Sequence, residues 1–213
     1  TDYVDFYQLH WPDPNTPLED TLGELEKLKQ TGKIRYIGLT NFSRRQIDQA
    51  LSLTDVASCQ GLYNLFERNP QSYHSIPLEY RTEEEVLPLC REQGLAFLPY
   101  SPLFQGLLTG AFDFDTVFDR SDVRSQNPKL NGERFRQRVA AAGELRELAE
   151  SAGHPLSHLA LAWLIRNEAV TSIIAGAQNV DHVEENAAAA AWDPGEALFS
   201  EVERILEKHA IID

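Results

Sequence analysis

The sequence predicts an α/β fold built from βα units on a parallel sheet, and three observations predict it. Short runs rich in β-branched and aromatic residues recur along the 213 residues, and single amphipathic helical segments separate them. Single-helix connections of that kind make right-handed crossovers between parallel strands. The first run, Asp2-Tyr-Val-Asp-Phe-Tyr-Gln-Leu-His10, ends in a histidine followed by the Pro-rich turn Trp11-Pro12-Asp13-Pro14. In a parallel α/β barrel, the C-terminal tip of a strand is where chemistry is placed.

The elements follow in order. After the first strand, Thr16-Pro17-Leu18-Glu19 reads as a capping box with Pro at the first helical position. Leu18, Leu22, Leu25 and Leu28 recur at helical spacing, and Gly32 ends the helix. Ile34 to Thr40 is the second strand. Ser43 caps a helix with Ile47, Ala50 and Leu51 on one face. Ser58 to Asn64 is the third strand, and an irregular stretch with Pro70 and Pro77 follows it. Thr82-Glu83-Glu84-Glu85 opens another capped helix, and Leu95 to Tyr100 is the fourth strand. Residues 101–132 are a long loop, of a length that marks a lid or a disordered segment. Helices over about 133–152 and 156–167, a fifth strand Ser172 to Ala175, a helix from about Val180 and a last helix ending near His209 complete the chain. A closed (β/α)8 barrel needs eight strands. On pattern alone, five strands fit an open sheet or a barrel lacking its first three units.

Composition narrows the function class. Hydrophobic residues at 42% and charged residues at 24% are ordinary for a soluble globular domain. A net charge of −14 argues against wholesale binding to nucleic acid or to anionic membrane. No apolar run is long enough to span a bilayer, and Cys59 and Cys90 read as reduced core thiols of a cytoplasmic protein. His74, His154, His158 and His209 lack metal-ligand spacing, so no metal is assigned. No Gly-x-Gly-x-x-Gly fingerprint occurs, which excludes Rossmann-type dinucleotide binding. The chain begins at Thr1 and holds no methionine, so its first residue is expected to be a processed end or a cut.

Four segments together resemble the aldo-keto reductase family: Asp5-Phe-Tyr-Gln-Leu-His10-Trp-Pro12, Gly32-Lys-Ile-Arg-Tyr-Ile-Gly-Leu-Thr-Asn-Phe-Ser43, Pro99-Tyr-Ser-Pro-Leu-Phe-Gln-Gly-Leu-Leu-Thr-Gly110 and Ala175-Gly-Ala-Gln-Asn-Val-Asp-His-Val-Glu-Glu-Asn186. Cys59-Gln60-Gly-Leu-Tyr-Asn64 fits between the second and third of them. The resemblance implies a (β/α)8 TIM-type barrel, of which this chain supplies the last five βα units and a C-terminal helix as one domain over 1–213. It implies reduction of an aldehyde or ketone, a small-molecule carbonyl substrate, by hydride transfer from NADPH, with NADH possible.

By the same resemblance His10 orients and polarises the carbonyl oxygen, and a neutral imidazole can donate one hydrogen bond to charge developing there. Thr40, Asn41 and Gln60 hold the nicotinamide carboxamide, and Tyr100 stacks on the ring. Ser101, Leu103, Gln105 and Leu107 begin a loop that folds over the pyrophosphate. Glu185 and Asn186 fall where the family contacts adenine, and Gln178 and His182 fall where it places groups for the 2′-phosphate. Between Ala175 and Asn186 there is no Lys or Arg, whereas a phosphate is ordinarily held by one. Trp11, Phe42 and the 101–132 loop are expected to shape the substrate pocket. Six cations (Arg120, Arg124, Lys129, Arg134, Arg136, Arg138) cluster around the end of that loop, as a solvated face or as an anion-attracting flap.

The family's Asp, Tyr and Lys lie on strands for which this sequence offers no counterpart, so the 213-residue stretch alone is expected to be inactive. It is also expected to associate through its open sheet edges. A second reading of the same resemblance is a cofactor-binding regulatory or redox-sensing subunit, like the potassium-channel β subunits.

Overall fold

The computed structural model describes residues 1–211. Four parallel strands form the main sheet in the order β1 (Val4–Leu9), β2 (Ile34–Thr40), β3 (Val56–Leu62) and β6 (Ala96–Tyr100). Helices α1 (Leu18–Gln30), α2 (Arg44–Leu53) and α3 (Leu87–Gln93) connect them in turn. Helices α4 (Gly132–Ser151), α5 (Leu156–Ile165), α6 (Val180–Ala188) and α7 (Gly195–Lys208) follow.

Each connecting helix buries an apolar stripe on one side of the sheet. Leu22 and Leu25 of α1, Ile47 and Ala50 of α2, and Leu89 and Cys90 of α3 pack with Ile37, Leu39, Cys59 and Phe97 in one core. Helix α5 is buried along almost its whole length, Leu156 to Leu164. Cys59 and Cys90 are buried and unlinked, and the Cys90 contact with burial pushes the Cys59 thiol up.

On the other side of the sheet the residues in register are Phe6 with Tyr36, Gln8 with Gly38 and Ser58, and Thr40 with Gln60 and Leu98. Gln8 Nε2 donates to Ser58 Oγ at 3.1 Å, and Gly38 makes room for that pair. Phe6 and Tyr36 stay 37% and 56% exposed on this side. Large aromatic side chains left open on a sheet mark a surface that other structure ordinarily covers.

Four expectations need correction. The fifth strand, Ser172 to Ala175, is reduced to isolated parallel bridges from Val170 to Phe97 and from Ile174 to Tyr100, so five complete strands are not formed among the described residues. Among the described residues the run pairs with β6 alone, and two backbone bonds, Thr171 N to Phe97 O and Ile174 N to Pro99 O, join them. Thr16 does not cap α1, because its hydroxyl donates to Asp13 at 2.8 Å and Pro17 occupies the cap position. Thr82 likewise donates to Leu62 O at 2.8 Å, and residues 82–86 form a π-helical turn ahead of α3. The third strand begins and ends two residues earlier than expected, and the irregular stretch after it contains a small antiparallel pair, β4 (Ser72–Tyr73) and β5 (Ile76–Pro77). At α2 the expectation holds: the Gln46 carboxamide oxygen accepts the Ser43 backbone N–H at 2.8 Å.

Candidate functional site

The C-terminal tips of the four strands meet around one side chain, Asn41. It is 5% exposed and sits at φ 65°, a left-handed conformation that Asn tolerates better than most residues. Its backbone N–H donates to Gln60 O at 3.0 Å, tying β2 to β3. Its Nδ2 donates to the carbonyl of His10 at 3.1 Å, tying β2 to β1. Its Oδ1 accepts the hydroxyls of Tyr80 and Tyr100, each at 2.9 Å, tying β2 to β6. The Tyr80 hydroxyl in turn accepts the Leu62 N–H at 3.0 Å.

Both tyrosines stay protonated, and therefore donors, throughout the neutral range. Burial pushes Tyr80 up to about 12, and burial with the neighbouring Tyr80 raises Tyr100 further. Tyr73 meets Tyr100 edge-on, with centroids 5.3 Å apart, fixing one edge of its half-buried ring. Thr40 is buried beside Asn41, in register with Gln60. The structure thus brings Thr40, Asn41, Gln60 and Tyr100 together at one end of the sheet, beside the exposed His10.

Trp11 and Phe42 both line a groove of about 320 Å³ between the starts of α1 and α2, with Pro17, Leu18, Arg45 and Gln46, and none of Thr40, Asn41, Gln60 and Tyr100 lines it. The rings of His10 and Trp11 lie 6.3 Å apart, but His10 does not line the groove.

The 101–132 loop leaves β6 through Ser101, Phe104 and Gln105, all at positive φ. Left-handed non-glycine residues cost on the order of 1–3 kcal/mol each and persist where surrounding contacts enforce them. Those contacts are present. Ser101 O accepts from Asn64 Nδ2 at 3.1 Å. Gln105 bridges His74 Nε2 at 3.1 Å and Asn127 Nδ2 at 2.7 Å. Lys129 donates to Glu67 and to Ser72 O, and Arg138 donates to Lys129 O at 3.1 Å. Leu103 and Leu107 pack into the core. Of the six clustered cations, Arg124 pairs with Asp122 and Lys129 with Glu67, Arg138 is buried, and Arg120, Arg134 and Arg136 are exposed.

Gln178 and His182 lie at the start of α6, and Glu185 and Asn186 in its second half, apart from the strand-tip cluster. Asn179 caps the helix by accepting the His182 N–H at 2.9 Å. His182 Nδ1 accepts the Gln178 N–H at 3.4 Å, and Asn186 Nδ2 donates to Gly176 O at 3.2 Å. Glu185 accepts the Ser157 hydroxyl. Asn186 also lines a cavity of about 480 Å³ with Ile173, Ala175 and Val183. The Tyr100–Ile174 bridge connects this group to the strand-tip cluster.

Sequence reading missed Tyr80, Tyr73, His74, Asn64 and Glu67, which buttress the cluster. All five lie in the irregular stretch between β3 and α3, where no hydrophobic period exists to place a side chain.

A parallel sheet that gathers polar side chains at its C-terminal strand ends is an α/β arrangement of the kind barrel enzymes use to carry their sites. The sequence model of the aldo/keto reductase family matches residues 1–207, and the chain belongs to that family. Aldo-keto reductase YhdN of Bacillus subtilis is 33% identical over 208 residues, covering 97% of this chain and 59% of that protein. Aldo-keto reductase yakc [NADP(+)] of Schizosaccharomyces pombe is 30% identical, covering 99% of this chain and 59% of its own length. The NADH-specific methylglyoxal reductase of Escherichia coli is 32% identical over 88% of this chain and 54% of its own. Among solved structures, the glycerol dehydrogenase AKR11B4 of Gluconobacter oxydans superimposes with a TM-score of 0.86 at 32% identity, over all of this chain and 61% of that one. The chain therefore spans about three-fifths of the length of the relatives it matches.

Proposed function

We propose that this chain is the nicotinamide-binding and carbonyl-orienting part of an aldo-keto reductase that reduces an aldehyde or ketone to an alcohol. The observation that carries the reading is the Asn41 hub, which locks four strand tips into one polar, aromatic-walled corner.

The residues present fit a nicotinamide. One hydrogen of the Asn41 amide nitrogen goes to His10 O, leaving the second for a ligand carbonyl. Thr40 and Gln60 lie beside it, and the Tyr100 ring supplies an aromatic face. When bound, the reduced nicotinamide supplies a hydride to the carbonyl carbon. His10 donates a hydrogen bond to the carbonyl oxygen, orienting it and stabilising its developing charge. Trp11 and Phe42, which follow the β1 and β2 tips in sequence, are the side chains proposed to shape the substrate pocket. Ser101, Leu103 and Gln105 present the first turn of the lid to the pyrophosphate, while Gln178, His182, Glu185 and Asn186 meet the adenosine end.

The domain is one barrel whose last five βα units lie here, with residues 170–175 as its eighth strand. The open face bearing Phe6 and Tyr36 is then the barrel interior. The carbonyl's proton donor belongs to the part of the relatives' length that this chain does not span. The cofactor is NADPH, with NADH a second candidate because no Lys or Arg falls between residues 175 and 186. Among the described residues no helix is long and apolar enough to cross a membrane, and the cytoplasm is the proposed compartment. The test is loss of reduced-nicotinamide absorbance when the complete protein is mixed with NADPH or NADH and a panel of small aldehydes. Turnover with one of them supports the reading, and none with any aldehyde, despite an intact fold, overturns it.

A further inference from the structure

We infer that the 101–132 loop is fastened by a proton-sensitive clasp: neutral His74, on the small β4–β5 hairpin, holds Gln105 and through it Asn127, near the two ends of the loop, and a proton on His74 lets the loop open. The clasp belongs to the loop by itself; its effect on a bound dinucleotide rests on the proposed function.

The direction of every hydrogen bond in the clasp follows from one backbone group. The Lys129 N–H donates to Asn127 Oδ1 at 3.0 Å, and a backbone N–H is a donor only. Asn127 therefore turns Nδ2 towards Gln105, whose Oε1 accepts at 2.7 Å. Gln105 is left with Nε2, also a donor only, facing His74 Nε2 at 3.1 Å. His74 Nε2 must accept, so the one ring hydrogen sits on Nδ1 and the ring is neutral. No hydroxyl stands in this chain of four groups to exchange roles.

A proton on Nε2 sets an N–H against an N–H. Turning the Gln105 amide moves the mismatch to Asn127 Nδ2, and turning Asn127 moves it to the Lys129 N–H, which has no acceptor to offer. Charge acts in the same sense. The Lys129 ammonium, which reaches the hairpin at Ser72 O, repels a charged imidazole. Glu67 opposes it, but that carboxylate is already engaged by Lys129 and by Asn64 Nδ2 at 3.0 Å. Tyr73 meets the imidazole edge-on, with centroids 4.5 Å apart, and brings no charge. Burial first and Lys129 second hold His74 below its ordinary 6.5. The loop's own Asp113, Asp119 and Asp122 are bound in local turns that keep them below the ordinary 3.8, so they stay charged while His74 titrates.

The clasp sits where the loop is under strain. Gln105 has φ 54° and follows Phe104 at 46°. Such conformations persist where surrounding contacts enforce them, and the Gln105 side chain supplies two. In the open loop His74 returns towards its ordinary value. The closed form therefore holds fully above pH 6.5 and loses ground as pH falls through the lowered value.

The test is limited proteolysis of the complete protein by proteinase K at about pH 7.5 and about pH 5, either side of the ordinary histidine value. Each rate is divided by that of a free peptide of residues 106–126. The wild type is expected to be cut within 106–126 about fivefold faster at the acid end, the loss of one hydrogen bond, with cuts elsewhere and the circular dichroism unchanged. His74→Gln, whose side-chain oxygen accepts from Gln105 and takes no proton, is expected to be protected at both ends. His74→Leu offers no acceptor and is expected to be cut at the neutral end as fast as the wild type at the acid end. A merely structural role for the ring would leave the two variants alike. NADPH is expected to leave the wild type faster than His74→Gln at the acid end, and equally at the neutral end.

The clasp is overturned if the wild-type loop is cut at one rate across the window, if His74→Gln keeps the wild-type rise, or if His74→Leu is as protected as wild type at the neutral end. Should His74→Gln fail to fold, Gln105→Glu takes its place. A carboxylate there accepts from charged His74, so its loop is expected to be better protected at the acid end, and an unchanged acid rise overturns the clasp. Cleavage that answers to pH and to His74→Gln in a folded protein that binds no NADPH supports the clasp and overturns the proposed function.

Discussion

Asn41 donates from its side-chain nitrogen to the backbone carbonyl of His10 across 3.1 Å. The bond makes the tips of β1 and β2 a single unit, although 31 residues separate the two partners in sequence. It fixes the base of the histidine while leaving the imidazole exposed at the strand end, the arrangement a group needs if it is to meet an incoming oxygen.

Replacing His10 with Ala in the complete protein removes the imidazole but not the carbonyl that Asn41 holds. The expected outcome is a fall in kcat/KM of about 10²–10³-fold, in the range for losing one donor to a developing oxyanion. The cofactor dissociation constant is expected to stay within about twofold, since no cofactor contact is lost. Steady-state kinetics beside a fluorescence titration separate the two.

Lys129 and Glu67 form an ion pair in which Glu67 is only 8% exposed, and the same lysine donates to Ser72 O. Lys129→Met keeps the stem and strands the carboxylate. Breaking one side of a buried pair costs roughly 3–5 kcal/mol. Part of that cost is expected to return in the Lys129→Met, Glu67→Leu double variant, as measured by urea unfolding. Limited proteolysis of the single variant is expected to cut first within residues 111–131.

His74 is held below its ordinary value of 6.5, by burial first and by Lys129 second, with Glu67 opposing. A histidine whose folded value is depressed favours the native state as the neutral form. Its contribution is complete above pH 6.5 and is lost as pH falls below 6.5 through the folded value. Melting temperature is therefore expected to drop on acidification through that window. His74→Gln, which can still meet Gln105, is expected to flatten the drop, and paired thermal melts across the window measure the difference.

A Cβ on Gly38 would stand 2.6 Å from Ser58 Oγ and 2.9 Å from both Gln8 Cγ and Phe6 Cε1. Gly38→Ala must break the Gln8–Ser58 bond or shift a strand. Overpacking of this kind costs about 1–3 kcal/mol, to be read from denaturant midpoints at unchanged m-value.

Much of the frame was legible because alternating strands and helices leave different periods in the sequence. Ile34–Thr40 is found at its expected limits, and Leu22, Leu25, Ile47 and Ala50 are buried on the faces that their spacing indicates. What was illegible is what tertiary contacts decide. Thr16 and Thr82 have the right chemistry for caps, but Asp13 and Leu62 O compete for their hydroxyls and win. Ser172–Ala175 reads as a strand yet, among the described residues, pairs with β6 alone and through isolated bridges. At the site, the family resemblance named Thr40, Asn41, Gln60 and Tyr100, which do gather. Tyr80 escaped notice because it reaches them across 39 residues from a segment without periodicity.

The most direct measurement is titration of the complete protein with NADPH and NADH, followed by quenching of its tryptophan emission and by transfer of energy to the reduced nicotinamide. Saturable binding at one site, lost in Asn41→Asp and weakened in Tyr100→Ala, is the expected result. Absence of saturable binding by a cooperatively folded protein, or binding indifferent to both substitutions, would contradict a nicotinamide corner built on Asn41.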